Sequence, residues 1–207
     1  MTINHTQANN IHQSRIKGLE AAAPRKLQHR RTFCYEVYER CDGLWEIDAQ
    51  MLDHKAHELT LANQVRAVGA PLHDMVLRLT IDNNLVITAV TCHTQSAPYM
   101  AHCPAINPHY QKMVGLNILQ GFRQSVKQLF AGIQGCTHIT EMANSLPTVA
   151  IQGISTQIAM RNRQASKEIG DSGNKPFQLG GCHALALDSE ATQLYYPKWY
   201  EKPMDSE

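Results

Sequence analysis

Residues 32–52 read TFCYEVYERCDGLWEIDAQML, and this stretch decides the fold. Phe33, Tyr35 and Val37 alternate with Cys34, Glu36 and Tyr38, the period-2 pattern of a half-buried strand. Asp42-Gly43 then supplies a dipeptide that accepts positive φ in a tight turn. Trp45, Ile47, Ala49 and Met51 resume the alternation on a return strand. The segment predicts a β-hairpin.

The same pattern recurs downstream. Met75, Leu77, Leu79 and Ile81 alternate, Asp82-Asn83-Asn84 turns, and Leu85 to Cys92 returns, predicting a second hairpin. Residues 53–70 between the pairs are expected to hold a short helix or loop. Beyond Cys92 the period changes. Pro104 suits the first turn of a helix reaching about Met113. Leu119, Phe122, Val126, Leu129 and Phe130 mark a second helix, closed by Gly132. A third starts near Thr137 with Ile139, Met142, Ala143 and Leu146, and Pro147 is expected to kink or restart it. Strands first and helices afterwards predict an α+β fold: a four-stranded antiparallel sheet with three to four helices on one face.

Around this domain, taken as residues 31–160, the chain is polar. Residues 1–30 form a basic stretch, with Arg15, Lys17, Arg25, Lys26 and Arg30 against the single Glu20, and read as a mobile arm. Residues 161–176 read as a linker or loop. The tail, 177–207, carries GGCHALALD and the aromatic cluster LYYPKWY, which is expected to dock on the domain or on a second copy in a homodimer. With 19 basic and 18 acidic residues in 207, the chain is not built to coat nucleic acid or an anionic membrane. No apolar run approaches the roughly 20 residues of a membrane span. The polar amino terminus lacks a secretory core, so a cytoplasmic protein is expected.

Six cysteines and eleven histidines stand out, and their placement is uneven. Cys92-His93, His102-Cys103 and Cys182-His183 are adjacent pairs, and Cys136 lies two before His138. In a reducing compartment such cysteines are more often buried, reactive or metal-binding than disulfide-bonded. Gly135-Cys136-Thr137-His138-Ile139-Thr140-Glu141 is the most informative run. Gly135 is read as freeing the backbone before a helix, so that Cys136 sits at its N-terminus, where the dipole favours a thiolate. His138 and Glu141, three apart, share a helix face. Cys103 occupies the equivalent place before the helix that Pro104 opens.

These residues suit a zinc or iron site, or a cysteine nucleophile with a nearby base. Cys103, Cys136 and His138 are the expected ligands. Glu141 or Asp53 would be outer support, base or further ligand, with Asp53-His54 at a strand end as a second candidate base pair. Cys182-His183 would close over the pocket, His183 serving as a base. The expected activity is metal-dependent catalysis on a small-molecule substrate. Alternatives are a metal-free cysteine enzyme of the thioesterase or acyl-transfer type, and a non-catalytic metal carrier or assembly subunit. No GxGxxG, GxxxxGK[ST], HExxH or GxSxG signature occurs, which disfavours nucleotide-dependent transfer and α/β-hydrolase chemistry.

The runs RRTFCYEVYERCDGLWEIDAQMLDHK, HDMVLRLTID, HCPAINPHYQKMVGL, GFRQSVKQLFAGIQGCTHITEM and GGCHALALD resemble an uncharacterised bacterial family, domain of unknown function 2889, over roughly Arg31 to Trp199. The element order also resembles the IscU/NifU type of iron–sulfur scaffold. That resemblance implies metal binding, with Cys92 or Cys103 and the Cys136/His138 pair in the places of its ligands. Where the scaffold has an adjacent His-Cys, this chain has Cys136-Thr137-His138.

Overall fold

In the computed structural model, residues 17–19, 23–61, 64–161, 175–176 and 178–202 are described. Most of the expected basic arm and nearly all of the expected 161–176 linker lie outside them. The alternating segments form β1 (His29–Glu39) and β2 (Trp45–Lys55), each 11 residues long and paired antiparallel through every position. Their loop, 40–44, turns at Gly43 with φ 82°, a conformation that favours glycine. The strands run three residues further at the open end than the alternation alone predicts. The expected helix or loop over 53–70 contains instead the end of β2 and two short paired strands, β3 (Leu59–Leu61) and β4 (Gln64–Arg66). Arg66 fixes this flap by donating to the Pro71 and Ala97 carbonyls, which spacing could not reveal.

The second hairpin is β5 (Pro71–Ile81) and β6 (Ile87–Ser96). The sheet order is β1-β2-β5-β6, antiparallel throughout. Directly opposed residues share a face, so the sheet is a set of cross-strand rows. Val37, Ile47, Leu79 and Val90 form one row, Tyr35, Ala49, Leu77 and Cys92 the next, and Phe33, Met51, Met75 and Thr94 a third. These rows and the helices above them make the core.

Three helical stretches cover that face. Cys103–Met113 is helical as expected but winds as a 3-10 helix, with Pro108 inside it. Gln111 donates to the Val90 carbonyl, tying this stretch to the edge strand β6. Then follow α1 (Phe122–Phe130) and α2 (Thr137–Ala150). α2 does not break at Pro147. It passes through into a π-helical turn, Ile151–Ser155, and helix resumes over 156–161. The Ile151 carbonyl accepts from both the backbone N–H and the hydroxyl of Thr156.

Residues 159–207 form a second unit. In it, the Ser189 side chain accepts from Thr192 N at 3.1 Å and caps α3 (Glu190–Tyr195). The buried Thr192 hydroxyl donates to the Ala186 carbonyl at 2.8 Å. Among the described residues, no helix is long and apolar enough to cross a membrane.

The π turn carries Gly153 against β1. A Cβ built there would lie 2.6 Å from Val37 Cγ2. Replacing glycine by alanine in a helix ordinarily gains about 1 kcal/mol, whereas overpacking a core costs about 1–3 kcal/mol. Gly153→Ala is therefore expected to lower the urea midpoint. Val37→Ala removes Cγ1 and Cγ2 but leaves the residue 37 Cβ 2.7 Å from the built one, so in that background the same change should still destabilise, by less.

Candidate functional site

The row after Phe33, Met51 and Met75 breaks the apolar pattern. It consists of Arg31, Asp53 and His73, directly opposed on β1, β2 and β5. Asp53 is 1% exposed, although it stands on the covered face of the sheet. A carboxylate so placed must have its lone pairs filled. Arg31 donates bidentately, Nε to Oδ1 at 2.8 Å and Nη2 to Oδ2 at 2.8 Å. His73 Nδ1 lies 3.0 Å from Oδ2, and His29 Nε2 lies 3.1 Å from Oδ1. An ionised carboxylate only accepts, so His73 carries its proton on Nδ1 in this arrangement. A bulge between Asp53 and His54 lets the β2–β5 register shift immediately beyond the row.

α2 roofs the row. The His138 ring lies over that of His73, with centroids 3.9 Å apart and planes tilted by 33°. Glu141, one turn on, accepts from Arg31 Nη1 at 2.6 Å on the solvent side, with its side chain 52% exposed. The expected sharing of a helix face by His138 and Glu141 thus becomes a convergence on one cluster. One ligand atom each from Asp53, His73 and His138 lies within 4.8 Å of the others, and among the described residues no other such group of three forms.

The start of α2 is held by a tyrosine. The buried Tyr110 hydroxyl accepts from Cys136 N–H at 2.9 Å and stands 2.8 Å from Thr140 Oγ1. Cys136 is the N-cap, as expected, but its side chain caps nothing. Its Sγ lies 3.8 Å from His138 Nδ1 and 3.9 Å from Met75 Sδ. Gly135 is needed for a different reason from the one the sequence implied. Its backbone is ordinary extended chain, φ −148°, but a Cβ would stand 2.5 Å from the Phe130 carbonyl oxygen.

Burial and charge set the protonation states. Burial alone would raise the Asp53 pKa, but Arg31, then His29 and His73, outweigh it and hold the carboxyl below its usual range. Burial lowers the His73 pKa, and His138 lowers it further despite the opposing pull of Asp53. Burial, followed by Arg31, lowers that of His138. The site is an ionised carboxylate beside two imidazoles that stay neutral at physiological pH, the form in which they ligate.

The other sequence candidates are placed elsewhere. Cys103 opens the 3-10 stretch, its N–H donating to the Tyr99 carbonyl, and it does not join Cys136 and His138 in a three-ligand group. His54 follows the bulge opposite Pro71 and is not in the cluster. His183 belongs to the second unit, where it begins a short 3-10 turn. Cys92 packs on the core, and burial pushes its thiol up to about 12. His29, Arg31 and His73 are the members that sequence reasoning missed. Strand parity carries them: if Phe33, Met51 and Met75 point inward, so do Arg31, Asp53 and His73.

Residues 29–152 match the family described as "Protein of unknown function (DUF2889)". The chain belongs to this family. The matched segment starts at the first residue of β1 and ends inside the π turn, so it contains every member of the cluster. Searches of curated proteins and of solved structures found no significant match.

In the presence of a chelator, stability is expected to fall on acidification in two stages. His73 and His138 bind protons less readily folded than unfolded, so the first loss begins below the ordinary histidine value of 6.5. Asp53 adds the second as pH drops below the ordinary 3.8 and through its lowered folded value. Asp53→Asn should diminish the second stage, to which Asp42, held low by Arg40, also contributes, and cost about 3 kcal/mol at neutral pH, because Arg31 loses its buried partner. Urea titrations between pH 3 and 8 read both.

Proposed function

We propose that this is a metal-binding protein, a metal-dependent enzyme of small-molecule chemistry, with one zinc or iron ion held by Asp53, His73 and His138. The observation that carries the reading is their convergence from β2, β5 and α2 to within 4.8 Å. Two imidazoles and a carboxylate are a donor set that suits either ion and leaves positions open. Arg31 does not block it. Nδ1 of His73 and Oδ2 of Asp53 are 3.0 Å apart across a shared proton. Asp53 and His73 would hold the ion in exchange for that proton, since an imidazole nitrogen ligates only when unprotonated. His29 Nδ1, buried without a hydrogen-bond partner, marks a further donor at the edge of the cluster.

When bound, such an ion polarises a substrate oxygen or activates a water. Arg31 keeps Asp53 ionised and oriented, and Glu141 is the solvent-side carboxylate available to move a proton. Relative to the sequence expectation, Asp53 and His73 join His138 as ligands, and Cys103 and Cys136 leave the set. Iron–sulfur scaffolding, the finer reading by resemblance, requires several thiolates around one point. The donors gathered here are oxygen and nitrogen, which favours a single ion. One observation supports a second reading as a metal-free cysteine enzyme: the 3.8 Å approach of Cys136 Sγ to His138 Nδ1. Alkylation of Cys136 that is rapid at neutral pH and indifferent to metal or chelator would select that reading.

Protein purified without a histidine tag and incubated with zinc or ferrous iron is expected to retain one equivalent by elemental analysis. Asp53→Ala, His73→Ala and His138→Ala should each lose it, while Cys103→Ser should keep it. Folded wild-type protein that retains no metal overturns the proposal.

A further inference from the structure

A guanidinium carries five N–H donors, and among the described residues Arg31 engages three of them. Nε and Nη2 hold Asp53, and Nη1 holds Glu141 at 2.6 Å. The two partners differ in kind. Asp53 is buried, with its side chain 2% exposed, whereas that of Glu141 is 52% exposed. An ion pair so open to water is weakly held, so a competing acceptor displaces Glu141 easily. Arg31 stands on β1, the edge strand of the sheet, and its own side chain is 30% exposed. The outer end of its guanidinium, Nη1 with the spare N–H of Nη2, is the charged edge that a solute meets. Two parallel donors there form the fork that a carboxylate matches.

Resting on the metal reading above, we propose that the substrate is a small carboxylic acid in its ionised form. Its carboxylate takes the place of Glu141 on Arg31, and a second oxygen of the same molecule meets the ion. Each Asp53 oxygen has an Arg31 nitrogen 2.8 Å away. An ion about 2.0–2.2 Å from either oxygen is therefore within about 5 Å of the guanidinium, inside the span of one small molecule. Charge points the same way. Arg31 offsets only one of the two carboxylates, and the His73 and His138 imidazoles are neutral, so the cluster without an ion is anionic. A divalent ion makes it cationic, so the site attracts an anion only when loaded. Glu141 leaves the guanidinium but not the site, because it rides on α2 one turn from His138.

Calorimetric titration of full-length, tag-free, zinc-loaded protein tests this, with zinc content measured first. The probes are glycolate, succinate and salicylate, each paired with its uncharged amide. At least one acid should bind the loaded protein, about tenfold or more tighter than its amide, and none should bind after zinc is removed. Glu141→Gln removes the competing carboxylate and should tighten that acid about two- to five-fold. Glu36→Gln removes the same charge from the opposite face of β1 and should change nothing. Arg31→Lys keeps the charge but loses the fork, and should weaken binding about tenfold. Zinc retained with no acid preferred over its amide overturns the substrate class and leaves the metal reading standing. So does an affinity that Glu141→Gln leaves unchanged or that Glu36→Gln raises equally, which decides the matter should Arg31→Lys fail to fold. Protein that retains no zinc overturns the metal reading, and this inference with it.

Discussion

The bidentate pair between Arg31 and Asp53 is the interaction on which the rest of the site depends. Asp53 occupies a position on β2 where the pattern of the strand calls for an apolar residue, and it is as buried as one. An uncompensated carboxylate there would cost several kcal/mol. Two parallel N–H···O bonds from Arg31, with His29 and His73 on the remaining lone pairs, supply the compensation. The guanidinium also reaches Glu141, so one side chain joins the sheet to its helical cover. Because Asp53 stays ionised, it orients His73, and His73 in turn lies under the ring of His138.

Placement of α2 is the second constraint. Its first turn must come down over β5 at the end where the polar row lies. Two close fits bring it there: Gly135 against the Phe130 carbonyl, and Gly153 against Val37. The Tyr110 hydroxyl satisfies the first backbone N–H at the helix start, and its ring stacks on Phe130 with centroids 4.5 Å apart. A cysteine at the N-cap is a weak capping residue. The Tyr110 hydroxyl, not the Cys136 side chain, meets the backbone there.

Much of the architecture was legible because it is local. Alternation in 32–52 and 75–92 predicts both hairpins, and glycine and proline punctuate the helices. The flap over 59–66 was not legible, since two three-residue strands show no period and are held by Arg66 reaching carbonyls more than 30 residues away in one case. Pro147 misleads for a related reason: the local rule predicts a kink or a restart, but the helix runs through it with Pro147 on the buried face. Of the site, Cys136, His138 and Glu141 stood out because they are close in sequence. Asp53 was read as outer support, base or further ligand, His29 fell within the expected arm, and Arg31 and His73 were not among the expected site residues.

The sequence by itself determined the order of elements, the face each strand residue takes, and the helix start that presents Cys136 beside His138. These follow from periods of 2 and 3.6 and from local backbone chemistry, which need no partner. Only the tertiary structure decided which polar residues meet. Arg31 bonds Asp53 across 22 residues and Glu141 across 110, and His73 joins through a register that a one-residue slip would turn to the opposite face. Register and helix placement are set by the packing of the whole core, so a carboxylate that the sequence places at a strand end becomes the buried centre of the site.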